Sequence, residues 1–149
     1  MIELATTVII IVSSVLLFGY WFRYTCLLIL SAKTTRDFAG QVATANQLGF
    51  LEVQAQLRAS AGNLDYLRDT LDRDYAVLSA LLKQAGDSSF EGSSLEKRML
   101  ALNYRVMHTW CRVSGTFSPT AARKALEEMS MVVAHFANAM GQQGAGAAA

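Results

Sequence analysis

Asp65, Asp69 and Asp72 recur at intervals of four and three, which places three carboxylates on one face of a helix. Arg98, Arg105 and Arg112 recur every seven residues, with His108 close by in the same segment. Carboxylates clustered on a helix can hold a metal or move protons. The helical di-iron pattern, however, needs glutamates with a histidine three residues on, and none accompanies these aspartates. Two other roles suit such stripes. Neighbouring antiparallel helices can set the aspartates against the arginines, an exposed pairing worth little per contact but useful for register. Alternatively, the arginine stripe can face anionic lipid headgroups or an acidic partner. The set reads as a charged pairing or docking face rather than a reaction centre.

The remaining chemistry-bearing residues point the same way. His108 lies about eight residues before the break at Gly115–Ser118 and His135 about eighteen after it. In an antiparallel hairpin they are offset by roughly 15 Å, too far to share one haem. Cys26 and Cys111 stand alone, with no CxxC or CxxCH, and read as free apolar fillers. Glu127 and Glu128 are adjacent and diverge, and the serines of GDSSFEGSS have no evident base. Arg23 and Glu3 are the only charges before Lys33, so the remaining 12 basic and 11 acidic residues leave the rest near neutral. That balance provides no field to capture nucleic acid. The expectation is a protein without catalytic residues, cofactor, metal or evident small-molecule substrate.

The elements that carry these residues begin with residues 4–32, twenty-nine positions holding the single charge Arg23. LATTVIIIVSSVLLFGYWF alone is nineteen uncharged residues, enough to cross most of a bilayer as a helix. A cleaved signal peptide normally has a basic n-region and small residues at its cleavage site. Here Glu3 is the only charge before the apolar run, so an uncleaved signal-anchor fits better. Arg23, Lys33 and Arg36 follow the run and none precedes it. The positive-inside rule then places the N-terminus outside and the bulk of the chain in the cytoplasm, which in a bacterium means a single pass of the inner membrane.

Tyr20, Trp21, Phe22 and Tyr24 bracket Arg23 as an aromatic belt at headgroup level, from which the arginine can snorkel. TCLLILSA, with Leu27 and Leu28, is too apolar for an exposed linker. Either the span stops near Phe22 and this stretch packs on protein, or the span shifts to residues 8–30 with Arg23 paired inside it. The first avoids the energetic penalty of intramembrane charge.

Beyond the anchor the pattern is helical, with one proline in 149 residues. Residues 34–59 carry a loose three–four rhythm (Phe38, Val42, Ala45, Leu48, Leu51, Ala55), weakened by Gly40 and Gly49. No strong break separates this stretch from the anchor, so one helix can run from the membrane into the domain. SAGN at 60–63 predicts a turn with Asn63 as N-cap. The stripe Leu64, Leu67, Leu71, Tyr75, Leu78, Leu82 defines a second helix over 64–85. After the polar break 86–94, Ser93 and Glu96 have capping-box spacing. Leu95, Met99, Leu102, Val106, Trp110 and Val113 predict the core face of a third. Ser118-Pro119 restarts a fourth, with Leu126, Met129, Val133, Phe136 and Met140, closed by Gly141.

The expected architecture is all-α. It comprises an anchor and interfacial segment (1–32), an antiparallel bundle of about four helices (33–140) and a flexible tail (141–149). Its expected role is that of a non-catalytic accessory, scaffold or assembly subunit of a membrane-associated complex. The lipid bilayer and a protein partner or second copy are its contacts. The alternatives are a self-associating coiled-coil or signalling module, and a small membrane enzyme or redox carrier.

Overall fold

The computed structural model describes residues 1–32, 37–85 and 94–148. The basic residues Lys33 and Arg36, residues 86–93 of the polar break expected at 86–94 and the Ser93 half of the expected capping box lie outside them. The chain divides into two units, Met1–Lys33 and Thr34–Ala149. All regular structure among the described residues is helical.

The first unit is a single helix, α1 (Ile2–Ser31), of 30 residues. It is the one described helix long and apolar enough to cross a membrane, with a mean hydropathy of 2.2. Its hydroxyls turn inward on its own backbone. Thr6 donates to the Ile2 carbonyl at 2.9 Å, Thr7 to Glu3 at 2.8 Å and Thr25 to Trp21 at 2.9 Å. Such back-bonding removes polar groups that an apolar surrounding could not satisfy. The helix ends at Ser31, where Ala32 turns extended (φ −61°, ψ 123°). A helix continuous with the next segment is therefore excluded.

Among the described residues the second unit holds five helices rather than the expected four or so: α2 (Ala39–Ala45), α3 (Phe50–Arg58), α4 (Leu64–Gln84), α5 (Ser94–Ser114) and α6 (Pro119–Ala148). The expected helix over 34–59 is replaced by two short ones, and both end in the same way. Gln47 enters the left-handed region (φ 54°), so that Leu48 N–H reaches the Ala43 carbonyl at 2.9 Å. Ser60 (φ 52°) repeats this, with Ala61 N–H on the Gln56 carbonyl at 2.9 Å. These are Schellman closures, which normally use glycine at that position. The break resets the helical phase. Ala39, Val42, Ala43, Phe50, Val53 and Leu57 are buried, whereas Ala45, Leu51 and Ala55 are exposed. Gly62, at φ +89°, completes the turn into α4, where Asn63 accepts from Asp65 N–H at 2.9 Å as the expected N-cap.

The hub of this unit is α6, which packs against α2, α3, α4 and α5. Leu126, Met129, Val132, Val133 and Ala137 have no exposed surface, and apolar side chains occupy most of its circumference. A helix apolar around most of its girth is the buried element of its domain. The helix does not close at Gly141 but continues to Ala148. Gly141 is instead a packing position, since a Cβ there would collide with the Cβ of Phe38. In α4, Leu67, Leu71, Leu78 and Leu82 are buried, as the stripe predicts.

Candidate functional site

The three expected aspartates separate in role. Asp65 and Asp69 are exposed and pair with Arg68 of their own helix, at 3.0 and 3.6 Å. Asp72 reaches α5. Its Oδ1 accepts from the Tyr104 hydroxyl at 2.7 Å, and its Oδ2 lies 2.9 Å from His108 Nε2. Tyr104 also stacks on Tyr75 of α4, ring centroids 4.0 Å apart and nearly parallel. Burial, reinforced by the Asp72 carboxylate beside it, pushes the Tyr104 phenol far above its ordinary value. The hydroxyl is therefore a committed donor. Of the residues in this seam, sequence reasoning found Asp72 and His108 and missed Tyr104, although it lies one helical turn before His108.

The arginine stripe does not take part. Arg98, Arg105 and Arg112 are all exposed, and among the described residues none forms an ion pair with Asp65, Asp69 or Asp72. The reason is a rotation of α5 relative to the expected face. Its buried side is Leu100, Asn103, Tyr104, Met107, Cys111 and Ser114. Leu95, Leu102, Val106, Trp110 and Val113, expected in the core, are 63, 53, 44, 45 and 51 % exposed.

Each polar group on the buried side has a partner that a hydropathy pattern does not reveal. Asn103 donates to Glu128 of α6 at 2.8 Å and Ser114 to the Trp110 carbonyl at 2.6 Å. Paired in this way, polar side chains can occupy a core. The outer side of α5 is left with an apolar stripe running beside the arginines. A shallow depression on it is lined by Arg105, Val106, Thr109, Trp110 and Val113. Trp110 also meets the exposed Phe117 edge-on at 6.1 Å.

The remaining candidates are dispersed. His135 pairs with Glu96 at 3.2 Å, so the two histidines face different carboxylates. Among the described residues neither Cys26 nor Cys111 is in a disulfide, and burial pushes the Cys111 thiol up, disfavouring thiolate. No three His, Cys, Asp or Glu side chains converge as a metal site among the described residues. On α1, Tyr20, Trp21 and Tyr24 are 71, 58 and 52 % exposed, Tyr20 stacks on Tyr24, and Phe22 and Arg23 are half-buried. Leu27 and Leu28, beyond this belt, remain 42 and 51 % exposed.

Among the described residues a polar seam is closed between α4 and α5, and apolar side chains are exposed along α1 and along the outer side of α5. The chain matches no protein-family model, no curated protein and no solved structure.

Proposed function

We propose that this is a non-catalytic, single-span membrane protein serving as an accessory or assembly subunit of a larger membrane-associated complex. In this reading α1 is an uncleaved signal-anchor with its N-terminus outside. The second unit is a small helical bundle on the cytoplasmic side, and in a bacterium the membrane is the inner one.

The observation that carries this is the length of exposed apolar surface on α1. Thirty helical residues rise about 45 Å, whereas a hydrocarbon core is about 30 Å thick. Apolar side chains therefore extend past the belt at Tyr20–Tyr24 as far as Leu28, more contact surface than a tether requires. The protein partner is expected to cover that extension. The non-catalytic reading is supported by Asp72, the one carboxylate of the aspartate stripe beside a histidine, whose Oδ1 is taken by Tyr104.

Native mass spectrometry of the intact protein extracted in mild detergent is the test. A stoichiometric partner whose binding weakens when Leu27 and Leu28 become serine is the expected result. A lone monomer in every gentle extraction would sink the proposal.

A further inference from the structure

The cavity among α4, α5 and α6 is ringed by Lys83, Lys97 and Arg98 but abuts the ends of α4 and α5 that flank residues 86–93. The Asp72–Tyr104–His108 seam is internally satisfied. The outer face of α5 is not.

We infer that the outer face of α5 is a second membrane contact, a cationic amphipathic surface that lies on an anionic bilayer. The inference rests on the proposed anchoring role of α1 and names lipid as the occupant of a different surface. Successive residues of a helix turn by about 100°, so Leu102, Val106, Trp110 and Val113 form one stripe and Arg98, Arg105 and Arg112 the next. Both stripes are exposed along the same side. Apolar residues with a tryptophan beside a basic row are the composition of helices that lie in the headgroup–acyl boundary, with arginine heads among the phosphates.

Charge selects this occupant over the others. The only acid on α5 is Glu96, and it is turned to His135. A second copy docking antiparallel would set arginine against arginine, and in a parallel pairing the face offers the arginines no acid, so neither favours self-pairing. Anionic headgroups complement the row, each arginine near such a surface contributing about 1 kcal/mol, or roughly five-fold in occupancy.

The two tryptophans give separate reporters. The full-length chain is reconstituted into phosphatidylcholine nanodiscs with and without phosphatidylglycerol, using acyl-chain-brominated lipid as quencher. In W110F, quenching of Trp21 reports the anchor; in W21F, quenching of Trp110 reports the α5 face. The expected result is Trp21 quenched in both lipids and Trp110 quenched only with phosphatidylglycerol. Each of R98Q, R105Q and R112Q in the W21F background should weaken the docking equilibrium roughly five-fold, and the corresponding charge reversals to glutamate roughly thirty-fold. Added salt should also weaken docking of the unsubstituted face. Far-UV circular dichroism checks that helix content is kept, and the salt arm needs no substitution.

Trp21 quenched with Trp110 unquenched in either lipid overturns the inference and leaves the anchor standing. Trp110 shifted to the blue but unquenched means that protein covers the face, an acidic partner or a second copy, and also overturns it. Loss of both signals overturns both readings.

Discussion

Among single residues, Asp74 is the most informative. It has no exposed surface, yet it is a carboxylate, and its Oδ2 accepts from Gly49 N–H at 2.7 Å where α3 begins. Arg73 comes within 3.5 Å of Oδ1 without completing a hydrogen bond. Desolvation outweighs these partners and raises the Asp74 carboxyl above its ordinary 3.8. The folded state therefore holds this proton more tightly than the unfolded chain. Its contribution to stability is present below pH 3.8 and is lost as pH rises through the raised folded value. That sign is opposite to that of a salt-bridged aspartate. Asp74→Asn keeps an oxygen for Gly49 and removes the charge. Urea midpoints across pH should show its advantage over the parent growing through that window and then levelling; an advantage that shrinks as pH rises contradicts the assignment. Asp74→Leu leaves the Gly49 N–H unpaired and should cost about 1–3 kcal/mol at neutral pH.

Among the elements, the two short helices show how a neighbour can define a boundary. α2 begins where Asn138 of α6 accepts from Phe38 N–H at 2.7 Å, and α3 begins where Asp74 of α4 accepts from Gly49 N–H. Each start is held by a residue far away in the chain, with Asp37 Oδ1 adding a local bond from Ala39 N–H at 2.9 Å, and both C-terminal closures use Gln47 and Ser60 in place of glycine. The break between α2 and α3 therefore has no strong local signal, whereas the leucine stripe of α4 and the Ser118-Pro119 start of α6 are legible because their signals are local. α5 was misread for a related reason. Its more apolar side faces outward, and its true inner side carries Asn103 and Tyr104, whose partners Glu128 and Asp72 lie on other helices, and Ser114, which bonds back to the Trp110 carbonyl. The seam was therefore half legible, and the exposed face was found with the wrong orientation. Gly141 belongs at this scale as well. Gly141→Ala must displace Phe38 and should destabilise by about 1–3 kcal/mol, whereas Gly144→Ala meets nothing within 4 Å and should be neutral or stabilising by up to about 1 kcal/mol. Thermal midpoints of the two variants, measured side by side, check this; equal midpoints would argue against the close approach at Phe38.

At the scale of the whole molecule, the second unit is organised around one helix rather than by successive pairing of neighbours. Leu126, Met129, Val132 and Val133 are shared by the helices around them, so α6 cannot be released without dissolving the core. Native-state hydrogen exchange should find the slowest amides between Leu126 and Phe136, with α2 and α3 opening first at lower free energy. Faster exchange in that stretch than in α2 would contradict the hub. Leu126→Ala should cost about 2–5 kcal/mol, lowering the stability of the whole unit in one transition. The central position of α6 also has a consequence during synthesis. The ribosome makes residues 119–141 only after every helix that rests on them, and the Phe38–Asn138 bond joins positions 100 residues apart. While α6 is still in the exit tunnel, α2 to α5 have nothing to fold on. The apolar residues of α1 leave the tunnel well before then, so the stretch proposed to enter a bilayer is exposed before any globular structure competes for it.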